Sequence, residues 1–389
     1  MTRKLISKHG FTGVAIEADW PEVLRIDRYV RRRDDDESVA DALAGFGRFP
    51  MWMWHNAEVA AFVEWLGAWN SRRALEARAG FYGLDLYSRH TSIRAVLSFL
   101  HEIDPAAFSW AREGYGCFDH AGGGSERGRW PTPSLTRACE AELVAQLVEM
   151  QRRHAARSGR APNGDSWFHA MQKVRVIKDA EAYYRTMFGG RSASWNLRDT
   201  HMADTLDLLA DQLGRDGRPA RLVVWAHNSH IGDARATVMA HRHELTLGQL
   251  IRQRHPGEVA LIGMTTHTGS VLCAHDWDDP AIPEHVMPSL SGSWERLFHG
   301  AGMQRFYVTS ASLKRIIGER VERLHRAIDV VYRPETERLS HYYPARLAEQ
   351  FDIVIHVDTS HAVVPIEDME PALTRAITHD LPETVTTGL

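Results

Sequence analysis

The residues with the clearest capacity for chemistry are two histidines, His227 and His230. They lie in the stretch Arg221 to Arg235, Arg-Leu-Val-Val-Trp-Ala-His-Asn-Ser-His-Ile-Gly-Asp-Ala-Arg. Imidazole is the side chain best suited to move protons near neutral pH. A lone histidine after a strand is adequately explained as a loop cap. Two of them, three residues apart and directly after an apolar run, point to a shared site. Carboxylates occupy similar places. Glu17 and Asp19 follow the apolar run Gly13 to Ile16, and Asp85 follows Phe81 to Leu84. Asp19 alone is accounted for as the N-cap of a helix begun by Pro21; Glu17, at the strand end itself, is not. Thr266 with His267, and the ionisable stretch Glu335 to His341, complete the set. Histidine and carboxylate together suit water activated by a general base, with imidazole or cationic donors stabilising an oxyanion. That chemistry is ester or amide hydrolysis. No Gly-x-Ser-x-Gly elbow is present, and no cysteine sits in a nucleophile context.

These side chains can meet only if strands carry them to one edge. Leu222 to Ala226 is short, apolar and β-branched, and Gly217 and Pro219 lead into it, which predicts a buried strand. Further strands are predicted at 13–16, 81–84, 259–265, 305–308, 327–332 and 352–356. Between them come helices: a first one closed by Gly10, one from Pro21, one capped by Asn56 and running to about Asn70, and one over 247–254. From Ser134 to about Leu213 the pattern is nearly all helical, with stripes at Leu143, Val144, Leu147 and Val148 and at Leu206, Leu209 and Leu213. Ser192 to Asp199 reads as the break between two of these helices. Strands alternating with helices predict an α/β fold: a mostly parallel central sheet flanked by helices, with a helical insertion over about 90–213 covering the cleft, all within one domain spanning 1–389. Ligands bind such sheets at the C-terminal ends of the strands. The loop Phe49-Pro50-Met51-Trp52-Met53-Trp54 is either cleft lining or core.

Composition narrows the class. A net charge of −4 and an apolar content of 44% describe an ordinary globular protein, not a nucleic-acid or membrane-surface binder. Arg31-Arg32-Arg33 is followed at once by Asp34-Asp35-Asp36-Glu37, a solvated helix end and its loop. Cys117, Cys139 and Cys273 form neither a disulfide framework nor a metal pattern, which fits a reducing cytoplasm. No run approaches the ~20 apolar residues of a spanning helix. The 22 histidines and 12 tryptophans cluster beside turns and charges, as suits a polar cleft with an apolar floor.

Six segments, in order along almost the whole chain, resemble the erythromycin esterase family. They are Ile16 to Pro21, Trp52-Met53-Trp54 with Glu58, Tyr82 to Ser88, Trp195 to Asp199, Trp225 to His230, and Tyr332 to Tyr342. The resemblance implies an α/β core, a helical covering region and a cleft between them. It implies hydrolysis of a carboxylic ester, in named members the macrolactone of 14-membered macrolides, and hence a link to antibiotic resistance. It assigns Glu17 to the family's active-site Glu and His227 and His230 to its His-x-x-His pair. One histidine would hold the substrate carbonyl or its oxyanion, and Glu17 would orient a base or a water. Asp85, Arg198, Asp199, His341 and Trp54 are expected near the substrate. No cofactor or metal is implied, and the expected partner is a small-molecule ester; the oligomeric state stays open. The family also carries, before the Glu-Ala-Asp-Trp motif, a strand ending in Gly-Glu-x-x-His-Gly whose His is the proposed general base. That segment is expected ahead of Met1, so Met1 is expected to be a misplaced start. His9, at a helix end, does not replace it. Losing a general base costs about 10² to 10⁴ in rate.

Two other readings remain open on these residues. One is a non-catalytic protein that keeps the cleft and binds a small molecule. The other is a metal-dependent hydrolase using His227, His230 and Glu17, although the pair does not lie on a helix as in His-Glu-x-x-His.

Overall fold

A computed structural model describes residues 1–33, 38–87, 164–187, 191–214 and 220–366. The expected stripe at Leu143 to Val148 lies outside these residues, as do Cys117 and Cys139. Strands β1 (Gly13–Asp19), β2 (Gly80–Asp85) and β3 (Leu222–Trp225) form a parallel sheet in the order β2-β1-β3. Every residue of β1 is buried. It is the central strand, covered on both faces, which is why its sequence reads as an unbroken apolar run up to Glu17.

Helices cover both faces. On one side Trp20–Val30 and Ala57–Asn70 pack Val23, Ile26, Val63 and Leu66 against Val14, Ile16 and Phe81. Asn56 caps the second of these helices, accepting the Val59 N–H at 2.9 Å. On the other side the helix Arg191–Gly214 places Met202, Ala203, Leu206 and Leu209 on Ala15, Tyr82 and Leu84. The stripe at Leu206 and Leu209 is thus the face that meets the sheet. Ser192 to Asp199 is not a break: these residues are the first turns of that helix. Its positions 195, 198 and 199, at helical spacing, continue the same face beyond the strand ends. The helix Gly164–Met187 packs beside it.

The later strands build a second sheet, β5-β4-β9-β6, from β4 (Ile262–Cys273), β5 (Ile282–Val286), β6 (Arg305–Thr309) and β9 (Ile353–Ser360). In it β4 and β9 run parallel, while β5 and β6 are antiparallel edges. A small antiparallel pair, β7 (Arg323–Arg326) with β8 (Tyr342–Ala345), lies apart. The strand expected at 327–332 is reduced to one parallel bridge, Val331 to Ala274: the β7–β8 ladder ends at Arg326, and the apolar residues Ile328 and Val330 line a cavity. Among the described residues no helix is long and apolar enough to cross a membrane.

Candidate active site

Glu17 reaches the site through a bulge. The β1–β2 register runs Ile16 to Gly83 and then Asp19 to Asp85, so β1 carries one extra residue there. Bulges re-aim side chains next to functional sites. Gly83 permits the distortion, because a Cβ there would lie 2.5 Å from the Ala18 carbonyl oxygen. The Trp54 indole N–H donates to the Glu17 carbonyl oxygen at 2.9 Å and ties the bulge to the aromatic loop. On the neighbouring strand β3 gives way at Ala226. The backbone N–H of His227 then donates to Glu17 Oε2 at 2.8 Å, and the turn Asn228–Ile231 presents His230.

The hub is Arg198. Its guanidinium donates to Asp85 Oδ1 at 3.1 Å and Oδ2 at 2.6 Å, and to Glu17 Oε1 at 2.8 Å. Its Nη1 lies 3.0 Å from His230 Nε2. His230 Nδ1 lies 2.9 and 3.0 Å from the two oxygens of Asp199, an acceptor-only group, so Nδ1 carries a proton. His230 Nε2 also lies 3.3 Å from Glu17 Oε1. The indole of Trp195 stacks on the His230 ring, with centroids 4.5 Å apart and planes 10° apart.

The electrostatics follow from burial. Glu17, Asp85, Asp199, Arg198 and His230 are all under one-tenth exposed. Burial would raise Asp85, but Arg198 outweighs it and holds that carboxyl below its usual range. Burial raises Asp199 more than His230 and Arg198 lower it. Burial alone would lower His230, yet the carboxylates of Asp199 and Glu17 prevail and hold the imidazole above its ordinary value. Three carboxylates face one guanidinium. The surplus negative charge is what favours the proton on His230.

His227 is held differently. Its Nε2 lies 2.9 Å from the Ile328 carbonyl oxygen, so that nitrogen bears hydrogen; its Nδ1, 2.7 Å from Ser229 Oγ, accepts. Both ring nitrogens are engaged, so Glu17, His227 and His230 do not converge as metal ligands in this arrangement. Asp19 occupies an N-cap position without capping. Its carboxylate instead accepts from the Tyr87 N–H at 2.7 Å and from Arg48 at 3.1 Å.

These groups line a cavity of about 290 Å³. Its floor is the loop expected to be cleft lining or core: Phe49, Met51, Trp52, Met53 and Trp54 all border it. Of the residues expected at the site, Glu17, His227, His230, Asp85, Arg198 and Trp54 line it, and Asp199 supports it from behind. His341 does not reach it. That ring is buried against Tyr332, with Nδ1 3.2 Å from the Ala327 carbonyl oxygen and Nε2 accepting the Arg333 N–H at 3.2 Å; burial holds its pKa below the ordinary value. The stretch Glu335 to His341 is therefore a structural corner. His267 is also elsewhere. It lies within β4, stacked on His299 and bonded to Ser289 Oγ at 2.6 Å, and burial, helped by His299, lowers it to about 4. Arg48, Tyr87, Trp195, Trp277, Asp329 and His361 also line the cavity. Trp195 sat in a recognised motif. Asp329 lies inside the run expected as a strand, and His361 directly follows β9, which extends to Ser360, past the strand end expected at 356.

The family model described as erythromycin esterase matches residues 6–360, and the chain belongs to that family. Among solved structures, a succinoglycan biosynthesis protein superposes with a TM-score of 0.73 at 18% identity, over 94% of this chain and 84% of its own. A protein from Bacillus cereus gives 0.74 at 14% identity, over 95% and 85%. A mutant of the erythromycin esterase EreC in its open conformation gives 0.59 at 14% identity, over 95% and 87%. At such identities the structures share the fold alone. They confirm an α/β architecture with a parallel sheet flanked by helices.

Proposed function

We propose that the protein is a carboxylic-ester hydrolase acting on a small molecule seated on the aromatic floor of the cavity. The observation that carries this reading is the buried His230, held between Asp199 at one nitrogen and Glu17 and Arg198 at the other. Each oxygen of Glu17 accepts one strong hydrogen bond from the protein and keeps a second lone pair. One of these holds the attacking water. Water oxygen adds to the ester carbonyl carbon as Glu17 takes its proton. The proton on His230 passes to the departing alkoxide as the carbon–oxygen bond breaks. The proton on Glu17 then returns to His230 across their 3.3 Å contact. Arg198 keeps Asp85 ionised and, bonded to both carboxylates and beside His230, fixes the distance between the partners. Macrolactones are the first substrates to try, on the strength of the family and of the erythromycin esterase among its structural neighbours.

The test is hydrolysis in ¹⁸O-water, over a panel of aryl esters, alkyl esters and 14-membered macrolactones. One ¹⁸O in the product acid, and a loss of about 10² to 10⁴ in rate with His230→Gln, support the reading. Full rate in that variant refutes it. A second reading, binding without turnover, is favoured by His227, whose ring nitrogens are both satisfied inside the protein. Saturable binding of an ester that stays intact on prolonged incubation would establish it.

A further inference from the structure

One helix face grips His230 from three directions. Trp195, Arg198 and Asp199 are spaced i, i+3 and i+4 on Arg191–Gly214, and such residues lie on one side of a helix. Asp199 meets Nδ1, Arg198 meets Nε2, and the indole of Trp195 lies flat on the ring. Hydrogen bonds in the ring plane leave the imidazole free to tilt about the line joining its nitrogens. Only a group on its face opposes that tilt. The indole is itself immobilised. It is 3% exposed, packs with Ala234 and Met239, and donates its N–H to the Leu245 carbonyl oxygen at 2.7 Å. The next residue, Asn196, binds the same segment twice, to the His243 carbonyl oxygen and the Leu245 N–H. Asp199 then accepts the Leu247 N–H at 2.7 Å. The segment 243–247 is thus the anvil against which Trp195 and Asp199 are both set.

We propose that Trp195 is a positioning residue for His230: its indole face fixes the imidazole plane, aims Nε2 between Arg198 and Glu17, and favours the charged ring. This goes beyond the hydrolase reading, though it rests on His230 as the proton-bearing group. A cation over an indole face is stabilised by about 0.5–2 kcal/mol, and 1.36 kcal/mol corresponds to one pKa unit. The other groups facing His230 are Asp199 and Glu17, which favour its proton, and Arg198, which opposes it. They remain in place when Trp195 is changed.

The experiment is an NMR titration of the whole protein labelled with ¹⁵N-histidine, with His230→Gln identifying the resonance. Trp195→Leu is expected to lower the pKa of His230 by about 0.4–1.5 units. Trp195→Phe keeps a ring face and loses only the bond to Leu245, so it should keep most of the wild-type value. Trp195→Met is measured as well, as a second flexible replacement in case the leucine variant does not fold. An unshifted His230 in a folded Leu or Met variant overturns the proposal. So does an equal shift in Phe and Leu variants, which would assign the effect to the Leu245 anchor. No turnover is needed for this reading. A protein that hydrolyses no ester contradicts the proposed activity and leaves the titration legible.

Discussion

Replacing Arg198 with methionine keeps the length of the stem and removes the charge. In the native protein that guanidinium is the direct partner of both Asp85 and Glu17, each under one-tenth exposed. Removing one partner of a buried ion pair costs about 3–5 kcal/mol, because the other charge stays buried and uncompensated. The cost should depend on pH, and its sign follows from Asp85. In the native protein Asp85 is held below its unfolded value, so its contribution is present above that value and fades only as pH falls through the lower folded one. Without Arg198 the balance reverses, and burial raises Asp85 above its unfolded value. The variant then carries its full penalty at about pH 7–8 and sheds it as Asp85 protonates toward about pH 4–5. Urea unfolding followed by circular dichroism, at several pH values in this range, measures the difference. A deficit of roughly 3–5 kcal/mol near neutrality that shrinks on acidification is expected. A deficit below about 1 kcal/mol, the scale of an exposed ion pair, or one that does not change with pH, would refute the view of Arg198 as the hub.

Three further outcomes follow from the same geometry. Asp199→Asn removes the carboxylate that most raises His230 and leaves burial to lower it; the limb of the kcat/KM–pH profile that requires protonated His230 should move to lower pH, and an unmoved limb would contradict this. Gly83→Ala drives a Cβ to 2.5 Å from the Ala18 carbonyl oxygen. Thermal and urea unfolding should show a loss of about 1–3 kcal/mol, the usual cost of overpacking, together with impaired activity from a displaced Glu17. Glu17→Gln keeps an oxygen toward one donor but turns an amide toward another; it should lower hydrolysis by about 10² to 10⁴ and, in urea unfolding, cost about 1–3 kcal/mol for the buried donor left without an acceptor.

Much of this site is legible because parallel strands are. β1, β2 and β3 are apolar runs that end abruptly in Glu17, Asp85 and His227; β1 and β2 are buried along their whole length, which leaves no alternation to confuse them, whereas β3 is mostly half-buried. Gly10, with φ 68°, ends its helix as its type predicts. The pairing of Asp85 with Arg198 is not legible, since 113 residues separate them and neither carries a local signal of the other. The second sheet is only partly so. β5 is an exposed edge strand with Pro283 in it, which reads as loop. β8 contains Pro344 and hides for the same reason. The run 327–332 looks like a strand because a cavity wall and a sheet interior call for the same apolar residues. His341 is expected near the substrate from the family resemblance, yet its ring is buried against Tyr332 and accepts the Arg333 N–H as a structural group.

The central claim is that His230, between Asp199 and Glu17, carries the proton of an ester hydrolysis. The most direct measurement is product formation in ¹⁸O-water by the wild-type protein and by His230→Gln, with folding of both verified by circular dichroism. Hydrolysis that places one ¹⁸O in the acid, and falls about 10² to 10⁴ in the variant, is predicted. Undiminished hydrolysis in the variant, or tight ester binding by a folded wild-type protein with no acid formed, would contradict it.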